Sequence, residues 1–142
     1  MSKLDLMGEK AKKASYKLSV LNSTAKNHAL QKVASRLLER SDEILKANAI
    51  DIENAKEKGI TGALMDRLTL NSQRIKAMAE GVEQIVSLPD PVGEVVSMWR
   101  RPNGLQIGQQ RVPIGVIGII YEARPNVTVD AAALCLDRKS VV

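Results

Sequence analysis

The sequence predicts an α/β fold whose first part is helical. Apolar residues recur at spacings of three and four over residues 1–88, a pattern typical of amphipathic helices. Alternating polar and apolar residues then flank Asn103-Gly104, which indicates a β-hairpin. The continuous apolar run Ile114–Ile120 indicates a buried strand, and residues 126–136 return to helical spacing.

Composition and charge indicate a folded protein and argue against binding to nucleic acid or membranes. The chain has 142 residues, of which 44% are hydrophobic and 26% charged, so we expect one folded domain with an aliphatic core. The net charge is +5, but the basic residues are interleaved with acids, unlike a nucleic-acid-binding surface. The single cysteine suits a reducing compartment, and no signal peptide or membrane-length apolar run is present. We therefore expect a cytoplasmic protein that binds neither nucleic acid nor membrane.

Four helices are predicted within residues 1–88. The residues from Asn22 to Thr24 offer a capping oxygen to the second helix, and Ser41 or Asp42 to the third. Gly59 is placed to end the third helix, and the fourth follows Thr69. The apolar stripes are Leu4, Met7, Ala11, Ala14, Leu18 and Leu21; Leu30, Val33, Leu37 and Leu38; Ile44 and Leu45; and Ile75, Met78, Val82 and Ile85.

The remaining elements are a hairpin and one strand–helix unit, over residues 92–136. The hairpin strands are expected in "EVVSMWRR" and in Leu105–Val112, and Pro113 separates them from Ile114–Ile120. Because that last strand is apolar on both faces, it should lie inside a sheet covered on both sides. A single strand–helix step does not complete a parallel sheet, so the fold is expected to be truncated.

Arg124 and Asn126 are the best candidates for a ligand site. They follow the predicted buried strand, where open α/β sheets bind ligands, and they precede a helix whose N-terminus favours anions. An arginine at this position can bind a carboxylate or phosphate with two hydrogen bonds. The alternative has equal weight: Arg124 pairs with Glu122 on the surface, and Asn126 only caps the helix.

Other residues support no site. Gly115 and Gly118 precede or lie within the strand and lack the third glycine of a dinucleotide-binding loop, so they indicate close backbone packing. Cys135 is at the apolar far end of its helix with no base nearby, which predicts a buried structural thiol. His28 has no assigned role, and no spacing resembles a metal site.

Several stretches resemble a known family. "ANAIDIENAKEKG", "MDRLTLNSQRI", "LPDPVGEV" and the long run "RPNGLQIGQQRVPIGVIGIIYEARPNVTVDAAALCL" are similar to gamma-glutamyl phosphate reductase, of the aldehyde dehydrogenase superfamily. The resemblance implies residues 1–136 to be the N-terminal part of an NADP-binding domain. It also implies reduction of L-glutamyl 5-phosphate to the semialdehyde with NADPH, in proline biosynthesis, by a homo-oligomer.

The resemblance also implies roles for individual residues. Ile120, Tyr121, Glu122 and Ala123 would line the nicotinamide side of the cofactor site, without a glycine-rich loop. The oxyanion-stabilising asparagine of the superfamily falls at Arg124 by ungapped counting, or at Asn126 with a two-residue shift. The catalytic cysteine, which attacks the acyl phosphate, is expected beyond this chain, so the chain alone should be inactive.

Residues 137–142 depart from the family. The family continues Lys-Ser-Gly after Leu136, whereas this chain reads "DRKSVV". The codons GAT CGG AAG AGC GTC GTG would encode this tail and match a common sequencing-adapter string, so we expect a non-native tail. Two other classes remain as alternatives: a stand-alone helical protein-interaction module, and a weak anion-binding protein.

Overall fold

The computed structural model describes residues 2–122 and 124–140. Helices dominate the first part of the chain, and a single hairpin separates them from the last helix. The elements are α1 Lys3–Ser19, α2 Ser23–Glu39, α3 Ser41–Glu57, α4 Ala63–Leu68, α5 Ser72–Ser87, β1 Val95–Arg100, β2 Gln106–Gln110 and α6 Pro125–Asp137.

The ends of α2 and α3 show which capping predictions are correct. Asn22 Oδ1 accepts a hydrogen bond from the backbone N–H of Ala25 at 2.8 Å, so α2 begins as predicted. The prediction that Ser41 or Asp42 caps α3 is wrong. Arg40 holds the cap position without a side-chain bond, because α3 follows α2 with only this residue between them. Gly59 follows the end of α3 with φ of 72°, as expected for a C-terminal glycine.

A short helix, α4, was not predicted. It has six residues and begins after Gly62, whose φ is 62°. The next helix, α5, starts at Ser72 after Asn71, whose side chain accepts from the N–H of Arg74 at 2.7 Å. The chain therefore turns twice between α3 and α5, and this corner forms one wall of the cleft described below.

The hairpin is confirmed, but its turn is longer than predicted. The strands β1 and β2 are antiparallel, with Trp99 opposite Ile107. The connection runs over residues 101–105, and Gly104 has φ of 88°. Lys139 is the one described non-glycine residue with positive φ, so Asn103 does not adopt the left-handed conformation expected of a two-residue Asn-Gly turn. Instead, Asn103 Oδ1 accepts from the N–H of Leu105 at 3.1 Å.

The core lies where α2, α5 and α6 meet. Its fully enclosed members are mostly small, which lets the helix axes approach closely. They are Leu30, Ala34, Ala79, Val82 and Ala133. The helix α1 stays outside this core: Leu4 and Met7 of its apolar stripe are 76% and 58% exposed.

The prediction of a buried strand over Ile114–Ile120 is wrong. Among the described residues the segment carries one isolated bridge position, Val116, and no continuous strand. Ile114 is 75% exposed and Ile120 is fully exposed. The described sheet contains β1 and β2 alone, so it offers this segment no neighbouring strand.

A buried ionic cluster joins three distant parts of the chain. Lys26 is 1% exposed, and its Nζ lies 2.9 Å from Asp137 Oδ1 and 3.3 Å from Asp90 Oδ2. The Ser23 hydroxyl also donates to Asp90 Oδ2, at 2.7 Å. Asp137 belongs to residues 137–142, whose non-native origin stays a prediction. The cluster fixes the start of α2 against the α5–β1 loop and the end of α6.

Candidate functional site

A cleft of about 430 Å³ lies between the α4–α5 corner and the start of α6. It brings together the two site candidates of the sequence, Arg124 and Asn126, with residues from much earlier in the chain. The polar groups that line it include Asp66, Arg67, Arg74, Arg124, Asn126 and Asp130.

Pro125 determines how Arg124 and Asn126 enter this cleft. Proline occupies the first position of α6, and the residue before it is disfavoured from helical geometry. Arg124 accordingly has φ of −138° and ψ of 86°, outside the helix. Asn126 lies within the first turn, and its Nδ2 donates to Asp130 Oδ2 at 3.3 Å. The interpretation of Asn126 as the helix cap is therefore wrong, and Arg124 and Glu122 form no ion pair among the described residues.

The opposite wall is held by a dense set of hydrogen bonds. Arg74 donates to the carbonyl oxygens of Asp66 and Thr69, the latter at 2.6 Å, and its Nη2 lies 2.8 Å from Asp66 Oδ1. Asn48 of α3 is 4% exposed and makes two further bonds. Its Nδ2 donates to the Leu68 carbonyl at 2.9 Å, and its Oδ1 accepts from the Leu70 N–H at 2.7 Å. These contacts fix the position of α4 relative to α5.

The cleft has an excess of positive charge. Its lining contains three guanidinium groups and two carboxylates. Arg74 is paired with Asp66, whereas within residues 2–122 and 124–140 no carboxylate oxygen lies within 4 Å of Arg67 or Arg124. Two unpaired guanidinium groups at one cleft favour an anionic ligand.

The sequence predicted Arg124 and Asn126 but missed Asp66, Arg67 and Arg74. No periodicity marks a helix as short as α4, so nothing indicated that its residues face α6. The signal that was present is the stretch "MDRLTLNSQRI", which carries part of the family resemblance and contains all three residues.

Of the predicted cofactor residues, Ile120, Tyr121 and Glu122 lie next to the cleft in sequence but are not part of its lining. Ile120 is fully exposed and Tyr121 is 44% exposed. The Tyr121 hydroxyl is 2.6 Å from Thr128 Oγ1, a contact that ties the segment before α6 to the helix. Glu122 is exposed, and Ala123 lies outside the described residues.

Cys135 is a buried thiol, as predicted. It is 7% exposed, and burial raises its pKa, which disfavours the reactive thiolate. Across the described ranges, no group of three His, Cys, Asp or Glu side chains is arranged to hold a metal ion. None of the helices in the same ranges combines the length and apolar character required to cross a membrane.

Fold and cleft together define an α/β protein with a cationic cleft beside a helix N-terminus, an arrangement that suits small anionic ligands. No protein-family model matches the chain. Among curated proteins, the gamma-glutamyl phosphate reductase of Heliobacterium modesticaldum is 60% identical over 141 residues, which cover 99% of this chain and 34% of that protein. The enzyme of the same name from Halothermothrix orenii is 61% identical over 133 residues, or 94% of this chain and 32% of that protein.

Solved structures agree with the sequence comparison. The crystal structure of gamma-glutamyl phosphate reductase from Thermotoga maritima matches with a TM-score of 0.94 at 46% identity, over 98% of this chain and 34% of that one. The Saccharomyces cerevisiae enzyme matches with a TM-score of 0.92 at 30% identity, over 98% and 35%. The chain is thus homologous to the gamma-glutamyl phosphate reductases and spans about a third of the length of the curated relatives it matches. These matches confirm the predicted fold class.

Proposed function

We propose that this chain supplies the substrate-binding cleft of an enzyme that reduces L-glutamyl 5-phosphate to L-glutamate 5-semialdehyde with NADPH, in proline biosynthesis. The observation that carries the proposal is the cleft itself, which Arg124 and Asn126 at the start of α6 line together with the α4–α5 corner. The name of the relatives, which are about 60% identical to this chain, adds the substrate class.

The chemistry of an acyl phosphate fits the cleft. The substrate has an anionic phosphate, and its carbonyl oxygen gains negative charge when a nucleophile attacks the carbon. The Arg124 guanidinium, which is unpaired and precedes α6, binds one of these oxygens. The Asn126 amide, held by Asp130, is the second donor at the same helix start. Both groups stabilise negative charge without transferring a proton.

The segment before Arg124 fits one end of NADPH. A nicotinamide ring requires an apolar or aromatic surface, and the fully exposed Ile120 and the 44% exposed Tyr121 offer one. The bond between Tyr121 and Thr128 holds this surface at a fixed position relative to α6. When bound, NADPH supplies the hydride for the reduction. We include Glu122 and Ala123 in this proposed contact, on the family resemblance alone.

The rest of the proposal concerns the whole enzyme. The nucleophilic cysteine belongs to the part of the relatives that this chain does not span, since Cys135 is buried with its pKa raised. The chain by itself is then inactive. We place the complete enzyme in the cytoplasm as a homo-oligomer, again on the family resemblance.

The test uses a chimera in which residues 1–136 replace the matching third of the Heliobacterium modesticaldum relative. Arg124→Ala should lower kcat/KM for the phosphorylated substrate by about 30- to 1,000-fold, the cost of one charge-assisted contact in a desolvated site. Arg124→Lys should lower kcat/KM nearly as much because lysine cannot form bidentate hydrogen bonds. The KM for NADPH should stay within about twofold of the wild-type chimera.

The unmodified 142-residue chain is the negative control and should show no turnover. If both Arg124 variants keep wild-type kinetics, Arg124 is a surface residue and the proposed site is wrong.

A second candidate function is a stand-alone helical interaction module. The exposed start of the apolar stripe of α1 favours it, with Leu4 76% and Met7 58% exposed. Sedimentation velocity of the chain separates the two proposals. An interaction module should be a monomer with a cooperative melt, whereas a third of an enzyme should self-associate through its uncovered apolar surfaces.

A further inference from the structure

We infer that Arg67 is a second substrate-binding residue, which acts with Arg124 on an anionic group of the substrate. This inference rests on the proposed function, and it adds to it a residue and the element that positions that residue. The ligand chemistry is an oxyanion, either the phosphate or the α-carboxylate of the glutamyl group.

Arg67 and Arg124 reach the cleft from different parts of the chain. Arg67 belongs to α4, and Arg124 immediately precedes α6, yet both line the same cleft. Two arginines from separate parts of the chain thus line one cleft of about 430 Å³. Both side chains are exposed, and two arginines that line one cleft favour an anionic ligand there.

The other charged residues of the cleft already have partners. Asp66 and Arg74 also line the cleft, but they bind each other at 2.8 Å, and Arg74 is further engaged by the carbonyl of Thr69. Asp130 accepts from Asn126. In the part of the chain that the structure describes, Arg67 and Arg124 have no carboxylate within ion-pair distance. Of the charged groups at the cleft, these two are therefore ready to bind a ligand.

The helix that carries Arg67, α4, is held in a fixed position by hydrogen bonds. A helix of six residues has little stability of its own. Here α4 is held on both sides: Arg74 binds its Asp66, and the buried Asn48 binds the Leu68 carbonyl and the Leu70 N–H that follow it. This bracing fixes the direction from which Arg67 approaches the cleft, which a specific ionic contact requires.

The reverse reaction separates the two possible anions. In that direction the aldehyde carbon gives a hydride to NADP⁺, a phosphate oxygen forms the new bond to that carbon, and one proton is released. Phosphate and semialdehyde are then separate substrates, and their KM values are measured independently in the chimera described above.

We expect Arg67→Gln to raise one KM by about 10- to 100-fold, the loss of one charge-assisted hydrogen bond. A higher KM for phosphate identifies the phosphate as the ligand of Arg67, and a higher KM for the semialdehyde identifies the α-carboxylate. Arg67→Lys should recover part of the loss because it keeps the charge. The KM for NADP⁺ should not change.

Arg36→Gln is the matched control, since its side chain is 72% exposed on α2 and does not line this cleft. Thermal melts of all variants identify any loss of folding. If both Arg67 variants keep both KM values, the inference is wrong while the proposed function stands. If the wild-type chimera is inactive and its parent relative is active, the proposed function is wrong and the inference with it.

Discussion

The helix pair α2–α5 and the segment Ile114–Ile120 carry similar aliphatic side chains but differ in how deeply these are buried. Leu30 and Ile75 are 0% exposed, whereas Ile114 is 75% exposed and Ile120 fully so. The helices find their apolar partners within this chain, with α6 completing the contact. The segment requires neighbouring strands, which the described sheet does not provide. Hydropathy therefore gives the tendency to be buried, and the rest of the fold decides whether burial occurs.

The largest expected effect on stability comes from a substitution in the buried core. Leu30→Ala should lower the free energy of unfolding by about 2–5 kcal/mol, because it leaves a cavity among α2, α5 and α6. Ile120→Ala is the control and should change it by less than about 0.5 kcal/mol. Urea denaturation followed by circular dichroism measures both. Similar losses in the two variants would mean that Ile120 is buried in solution.

A smaller effect is expected at the polar contact that holds α4. Asn48→Leu keeps the side-chain volume but leaves the Leu68 carbonyl and the Leu70 N–H without their partner, at about 1.5–3 kcal/mol. Asn54→Leu on the exposed face of α3 is the matched control. Hydrogen exchange at the Leu70 amide should accelerate in Asn48→Leu alone. Unchanged exchange there would show that Asn48 does not hold the α4–α5 corner.

The smallest effect concerns the ionic cluster and depends on pH. Burial alone would raise the pKa of Asp90, but hydrogen bonds from Ser23, the Val92 N–H and Lys26 outweigh it and hold the pKa at about 2. Because the folded pKa is below the ordinary value of 3.8, the ionised form stabilises the fold above about pH 4. That stabilisation, about 2 kcal/mol, is lost as the pH falls through 2.

Asp90→Asn tests this pH dependence. The difference in unfolding free energy between wild type and Asp90→Asn should shrink between pH 4 and pH 2, measured by urea denaturation at each pH. A difference that stays constant over this range would assign the stabilisation by Asp90 to hydrogen bonding alone.

The sequence was sufficient for elements whose signals are local. Asn22 caps α2 through a hydrogen bond to a residue only three positions further on. The apolar stripe Ile75, Met78 and Val82 is buried as predicted. It was insufficient for α4, which has too few residues to show a period and is stabilised by Asn48 from another helix. The burial predicted for Ile114–Ile120 failed for the same reason, since burial depends on partners remote in sequence.

Within the candidate site too, residues with local sequence signals were predicted and a residue placed by long-range contacts was missed. Arg124 and Asn126 were predicted because they follow an apolar run and precede a helix start, a signal within a few residues. Arg67 was missed because its place at the cleft depends on how α4 is held against α5 and α6. Only long-range contacts bring it there, and one sequence shows no such contacts.

Lys26 has a consequence for the order of folding during synthesis. Its ion-pair partner Asp90 lies in the loop that follows α5. While the ribosome is still making α3 and α4, the ammonium group of Lys26 has no partner and must stay hydrated, because burying it unpaired is costly. The start of α2 therefore cannot dock until the loop after α5 has emerged. A growing chain keeps this end of α2 in water, and its final attachment is a late event of folding.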